Sequence, residues 1–394
     1  MFELSVGAPV FVAFLVISPL ILRNHWKHRN LAFLVLNLIL YLGGVKCWQQ
    51  AVVAAVWILL PYFAVKYIRG KKSLLLVPML LCFAYLMQYD WIFKTLSIPY
   101  AFAWKLLGLS YFLFRQIDFI MQYEYLKEEK IRITLVDYLN YLLSFYTLLA
   151  GPIQRYERFV TDFYEEKQAL KKEEIYGCLN RALNGYLKVF VVSGILMHYA
   201  THWFERLGTH GNFMKEAAAF VIFAFLNGWY IYFNFSGYCD VVIAFAKLSG
   251  ISVPENFNRP YLSRSMVEFW NRHHITLSEW LRDYVYSPMF KGFLSCPLHI
   301  SARFFQYLAL FLNFTIAGIW HGTDMNYLVY GLLQGVGIIA SMLYKEILRK
   351  KLGKQRFKAY QQNPFVKWAE IACTWMYICL TFSFVGFDVV GLWK

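Results

Sequence analysis

Apolar runs separated by short polar segments recur along the whole chain, at residues 8–22, 31–45, 51–67, 74–89, 100–114, 135–150, 183–199, 217–235, 304–319 and 327–343. A helix rises about 1.5 Å per residue, so each run crosses most or all of a hydrocarbon core roughly 30 Å thick. The pattern predicts an all-α polytopic membrane protein of about ten to twelve transmembrane or re-entrant helices, read as one domain over residues 1–394. The first run has no positive residue before it and Arg23, Lys27 and Arg29 after it, the reverse of a secretory signal's charge order. It is expected to stay as a helix with its N-terminus outside.

Three places break the pattern. The run 135–150 stops at Gly151-Pro152-Ile153-Gln154-Arg155, where proline ends a helix and leaves backbone groups in need of partners. Two readings fit: a plain helix exit with Arg155 reaching headgroups, and a functional turn enclosed by protein. The run 217–235 leads into Ser236-Gly237-Tyr238, read as a break, and then Asp240 inside residues 241–248 that are otherwise apolar. A carboxylate there is costly unless paired or wetted, which makes Asp240 either a functional group or the partner of an arginine. The run 304–319 ends in Trp320-His321-Gly322 before the next run begins, placing His321 at a helix end.

The segment 263–287 differs in kind. Ser265 followed by Glu268 fits a capping box, and Met266, Phe269, Trp270 and His273 keep the i, i+3, i+4, i+7 spacing of one helical face. Thr276 with Glu279 suggests a second box, opening a helix whose Leu277, Trp280, Leu281 and Tyr284 repeat the spacing. Arg272, Arg282 and Asp283 fall off or at the margin of the stripe. Both helices are too short to span a bilayer and are expected to lie at its interface or re-enter it. His274 is one turn beyond Trp270 and is expected to be able to face inward. Residues 115–132 are mixed in charge and are expected at the cytoplasmic surface, and 164–176 to be solvated.

Composition sharpens this picture. Of 394 residues, 59% are hydrophobic and 16% charged, a membrane composition with no soluble domain left over. The net charge of +15 sits in short loops, 23–29, 66–72 and 167–172, instead of on a folded face with stacking aromatics. That arrangement argues against nucleic acid and for cytoplasmic loops under the positive-inside rule. Seven cysteines are scattered without a C-x-x-C pair, so neither a disulfide framework nor a zinc site, nor any other metal, is expected.

Read in order, Gly151-Pro152-Ile153-Gln154-Arg155-Tyr156, the stretch 232–248, Pro254-Glu255-Asn256-Phe257-Asn258-Arg259-Pro260-Tyr261, the stretch 269–286, and Trp320-His321-Gly322 with Tyr330-Gly331 resemble the successive signatures of the membrane-bound O-acyltransferase (MBOAT) family. The match covers roughly residues 150–335 and is most similar to the bacterial branch of polysaccharide O-acetylation and teichoic acid D-alanylation. The resemblance implies His321 as the catalytic histidine and His274 as a second functional one, in a tunnel joining the two membrane faces. It also implies a donor entering from the cytoplasm as a thioester on coenzyme A or on a carrier protein's phosphopantetheine, with no tightly bound cofactor. The acyl group would leave for an extracytoplasmic glycan or cell-wall polymer, with an extracytoplasmic acyltransferase partner, from a multi-pass protein of the bacterial inner membrane.

The chain departs from the family's pattern at His273, where an aromatic is usual, at Cys239, where serine is common, and at Gln334, where many members have histidine. The compact C-terminus and Tyr286-Ser287-Pro288-Met289 look nearer the D-alanylation type; acetyl is the acyl group expected, with D-alanyl the alternative. Acyl transfer to an alcohol needs a base for the hydroxyl proton and a donor for the oxyanion. His321 is assigned the first role and His274 or Asn271 the second. Arg155 is assigned to donor phosphates, and Asp240, Trp320 and His273 to the substrate-binding set. A transporter or scramblase is the rival class, since broken helices and an intramembrane carboxylate suit a substrate pathway too. No internal repeat supports that rival.

Overall fold

The computed structural model describes residues 8–23, 26–68, 70–97, 105–166, 169–209, 211–297 and 300–393. The described residues form helices α1 (Pro9–Leu22), α2 (Arg29–Leu42), α3 (Trp48–Tyr67), α4 (Leu76–Met87), α5 (Asp90–Thr95), α6 (Leu109–Glu128), α7 (Leu135–Leu143), α8 (Tyr156–Tyr164), α9 (Lys172–Tyr186), α10 (Ser193–Glu205), α11 (Phe213–Leu248), α12 (Met266–Trp270), α13 (Ile275–Leu281), α14 (Ser287–Leu294), α15 (Ala302–His321), α16 (Met325–Gln362) and α17 (Pro364–Phe382). They contain no β-strand, and one isolated antiparallel bridge joins Phe257 to His273. Among them α3, α11, α15 and α16 are long and apolar enough to cross a membrane, and shorter apolar helices fill the N-terminal part. The protein is an all-α polytopic membrane protein, as its hydrophobic pattern predicts. Two compact units result, Met1–Phe190 with Phe235–Glu255, and Val191–Asn234 with Asn256–Lys394.

The first unit shows how polar groups are handled in an apolar setting. Residues 115–120 are not at the surface, although most of 121–132 is exposed as expected: α6 carries Arg115, Gln116 and Asp118 fully buried. Their partners explain the placement. Arg115 donates to the carbonyls of Tyr141 and Leu142 at 2.9 and 2.6 Å and to the Thr147 hydroxyl, and Gln116 donates to the Trp57 carbonyl at 2.7 Å. Helix α7 ends at Leu143, short of the expected 150, and the buried segment 144–155 is irregular. Buried backbone of this kind persists only where its polar groups are met. Arg115 meets the helix-end carbonyls, and Asn37 Oδ1 accepts from Phe145 N at 3.0 Å. The expected start of the 100–114 run lies outside the described residues.

Arg29 performs a similar service. It is buried and donates to the carbonyls of Leu22, Phe163, Ser249 and Gly250, at or just past the C-terminal ends of α1, α8 and α11. Three helix ends thus share one guanidinium, whose fork of five donors suits the task.

The break expected at Ser236-Gly237-Tyr238 is absent. Helix α11 runs through it without interruption for 36 residues. Gly237 is there for packing: a Cβ on it would lie 2.7 Å from the Gly185 carbonyl oxygen and 2.7 Å from Lys188 Cβ. Small residues let two membrane helices approach backbone to backbone, and here they join α9 to the C-terminal half of α11.

Candidate active site

The second unit is built on the hairpin of α15 and α16. Gly318 and Gly331 set its spacing, since a Cβ on Gly318 would lie 2.5 Å from Gly331 Cα. Close packing of the two backbones aligns one stripe on each helix. On α15 it comprises Gln306, Leu310, Asn313, Phe314, Ala317 and His321, and on α16 Tyr330, Gln334, Ile338 and Met342. Both follow helical spacing. With residues of α12, α13 and the turn after α13, these stripes line an open cavity of about 610 Å³.

His321 is the last residue of α15, half-buried on the cavity wall, with the Tyr330 ring 5.7 Å and the Trp320 ring 4.5 Å from its own. Gly322 follows in an extended conformation and stops the helix. Helix-end carbonyls carry partial negative charge, which favours a proton arriving on the imidazole. Asn271, the C-cap of α12, also lines the cavity and is exposed to it. Its amide is a hydrogen-bond donor with no charge to desolvate. Glu279 and Arg282, both exposed, are the charged residues of the lining.

The adjacent histidines part company. His273 is buried, its ring stacked on Phe269 at 4.8 Å and bordered by Phe257, Trp270 and Phe382. It occupies an aromatic's place in the core. His274 is buried at the N-cap of α13, with φ 49° and ψ 51°, in the left-handed region that side-chain-bearing residues rarely adopt. Both lie within electrostatic range of His321, though neither is among the residues lining the cavity.

Local polar contacts fix this segment. Ser265 accepts from Glu268 N at 3.3 Å, as the first predicted cap requires, while Glu268 accepts from Arg264 N at 2.8 Å. The second predicted cap is not formed: Thr276 gives its N–H and its hydroxyl to Asn256 Oδ1, at 3.2 and 2.9 Å. Asn256 also accepts from Ile275 N at 3.1 Å through its backbone carbonyl. That asparagine replaces the missing cap from a distant stretch of sequence.

Asp240 and Arg155 belong to the first unit. Asp240 accepts from Arg181 at 2.9 Å and Lys188 at 2.6 Å, and Arg181 also pairs with Glu255 at 2.6 Å. Of its two readings, the geometry provides the structural pair. Arg155 donates to the buried Asp118 at 3.2 Å, and Asp118 further accepts from Tyr156 N at 2.8 Å and from the Tyr141 hydroxyl at 3.0 Å. Trp320 packs on His321 and is not among the cavity-lining residues. Gln306 and Asn313 carry no signal in the length of the 304–319 run, although their register with His321 at i−15 and i−8 places them on its face of α15.

A largely apolar cavity with a histidine at a helix end thus lies inside an all-α membrane unit. The chain belongs to the membrane-bound O-acyltransferase (MBOAT) family, whose model matches residues 68–387, and is an O-acyltransferase by family. It is similar to the teichoic acid D-alanyltransferase of Bacillus subtilis, 31% identical over 288 residues, 71% of this chain and 67% of that one. It is also similar to a Pseudomonas putida protein named "Probable alginate O-acetylase AlgI", 31% identical over 67% of this chain and 49% of the other. A third relative, the peptidoglycan O-acetyltransferase of Helicobacter pylori, is 31% identical over 55% of this chain and 39% of its own.

Proposed function

We propose that the protein transfers a small acyl group from a cytoplasmic thioester, on coenzyme A or a carrier protein's phosphopantetheine, to a hydroxyl of an extracytoplasmic polysaccharide or cell-wall polymer, in the bacterial inner membrane. The observation that carries this reading is His321, placed at the end of α15 on the wall of a 610 Å³ cavity lined by α15 and α16. A neutral imidazole near pH 7 is suited to take a hydroxyl proton.

In the proposed step His321 accepts the proton of the acceptor hydroxyl as its oxygen attacks the thioester carbonyl carbon. The tetrahedral oxyanion is met by the Asn271 amide N–H, a contribution typically worth about 3 kcal/mol for one donor. Collapse breaks the C–S bond, and the departing thiolate takes the proton from the His321 imidazolium. His274 holds the start of α13 through its backbone carbonyl, which accepts from Leu277 N and Ser278 N at 3.1 and 3.0 Å. It acts on the site by position. Acetyl is the acyl group of the first reading. D-alanyl is the second, favoured by the D-alanyltransferase of Bacillus subtilis being matched over 67% of its length against 49% for the alginate O-acetylase relative.

The test is thioester consumption by the purified protein in liposomes with a hydroxyl acceptor, offered acetyl-CoA or a D-alanyl-loaded carrier protein. Loss of turnover in His321→Ala, with the protein still folded, supports the reading and the donor consumed names the acyl group. Unchanged turnover in that variant sinks the assignment.

A further inference from the structure

Helix α16 is two helices meeting at Gly353, whose φ of 69° and ψ of 171° lie where only glycine sits without strain. The chain turns back on itself there. Residues 344 and 360 would stand about 24 Å apart on a straight helix, yet the Tyr344 and Tyr360 hydroxyls share a hydrogen bond of 2.6 Å. Residues 344–352 and 354–362 therefore form a helical hairpin with Gly353 at its tip. Leu348, Leu352 and Phe357 are half-buried, keep the helical spacing of the two tyrosines and make its seam.

The outside of this hairpin is basic. From residue 345 to residue 367 the chain holds eight lysines and arginines against one acid, Glu346. Glu346 is taken by Arg303 at 2.7 Å and Lys350 at 3.1 Å. Arg349, Lys351, Lys354, Arg356 and Lys358 are exposed and pair with no carboxylate among the described residues. Like charges gathered this closely repel one another, and an anionic partner relieves them.

Depth names the partner. The apolar run of α16 stops at Leu343, so Tyr344 and Tyr360 stand at headgroup level, where aromatic residues with a polar end collect. A few residues on, the first turns of α17 present Phe365, 81% exposed, and Trp368, 59% exposed, with the Lys367 ammonium 5.7 Å from the Trp368 ring. Arg349, Arg356 and Lys358 lie within about 8 Å of the tyrosines along the two arms, close enough to act on headgroups at physiological salt. An acidic protein would answer the charge and leave the apolar pair uncovered, whereas a bilayer surface answers both. None of these residues lines the active-site cavity. We propose that the hairpin and the first turns of α17 form a binding surface for anionic phospholipids, with Arg349, Arg356 and Lys358 on the phosphodiesters and Phe365 and Trp368 among the upper acyl carbons.

The experiment equilibrates the purified protein with mixed micelles of equimolar phosphatidylglycerol and phosphatidylcholine, re-isolates it and quantifies the lipid it retains. Wild type is expected to retain phosphatidylglycerol in preference. In the triple variant Arg349→Gln, Arg356→Gln, Lys358→Gln that preference is expected to fall about fivefold, the worth of one basic residue at an anionic surface. The control removes as much charge elsewhere, by Lys127→Gln, Lys130→Gln and Lys172→Gln, all at exposed positions, and is expected to keep the wild-type preference. Because the readout is a ratio of two lipids, a variant that is only partly recovered still reports it. No preference in wild type overturns the proposal, as does an equal fall in the control, which would assign the effect to net charge. A preference unchanged in the triple variant overturns it too, and if that variant has instead lost turnover with a carrier-protein thioester, the surface belongs to an acidic protein.

Discussion

Gly318 on α15 and Gly331 on α16 touch backbone to backbone, with room for no side chain between them. Every cavity-lining residue on the hairpin takes its register from that contact. Gly318→Ala is therefore expected to force the helices apart, at a cost of about 1–3 kcal/mol for overpacking. Thermal unfolding in detergent checks this, and Gly331→Ala is expected to behave alike. An unshifted melting temperature in both would show that the hairpin has slack.

In the proposed step, Asn271→Ala removes a donor that is needed only when charge develops on the thioester oxygen. A fall of about 10²-fold in kcat with little change in KM is expected. A change confined to KM would place Asn271 in ground-state binding instead.

Arg29→Leu takes the guanidinium from four backbone carbonyls at once. With each buried unpaired group costing about 1–3 kcal/mol, a loss of at least 3 kcal/mol is expected. Arg29→Lys should recover only part of it, because an ammonium has three donors and no fork. Denaturation of the purified variants measures both, and full recovery by lysine would argue that charge, not geometry, is what the site requires.

Asp240→Asn leaves Arg181 and Lys188 facing a neutral amide where they now share a carboxylate. Stability is expected to fall by about 1–3 kcal/mol, less than for a fully buried pair, because Asp240 and both cations are part-exposed. Lys188→Met combined with Asp240→Asn should cost less than the two changes added together. Turnover corrected for folded protein is the control: a catalytic Asp240 would show a deficit that the second substitution does not relieve.

How much was legible in the sequence depended on what kind of signal each residue carries. Helix class and the position of His321 at a helix end follow from run length alone, which is why they were read correctly. The capping contact of Ser265 with Glu268 is local and was equally visible. Asn256, which replaces the predicted Thr276 cap, acts across 20 residues and leaves no periodic trace. Gly237 reads as a helix breaker until Gly185 is known to lie against it. Arg115 and Asp118 read as surface charge because the groups that accept and share them are brought in by the fold. His273 and His274 are neighbours in sequence with different surroundings, and no spacing rule separates a ring stacked among aromatics from one at a strained helix start.

The polar load on α6 bears on how the chain is assembled. A helix bearing Arg115, Gln116 and Asp118 gains little from lipid by itself, since charged residues near a helix centre oppose insertion by about 2.5–3.5 kcal/mol each on biological scales. Its partners straddle it in order of synthesis: the Trp57 carbonyl on α3 comes earlier, while Tyr141, Leu142 and Thr147 come later. Helix α6 is thus half-satisfied when it leaves the ribosome and complete only after α7 and the segment behind it have followed. Biogenesis has to shelter it through that interval, which makes the stretch between α6 and Arg155 a point where slowed or truncated translation yields a chain that cannot settle in the bilayer.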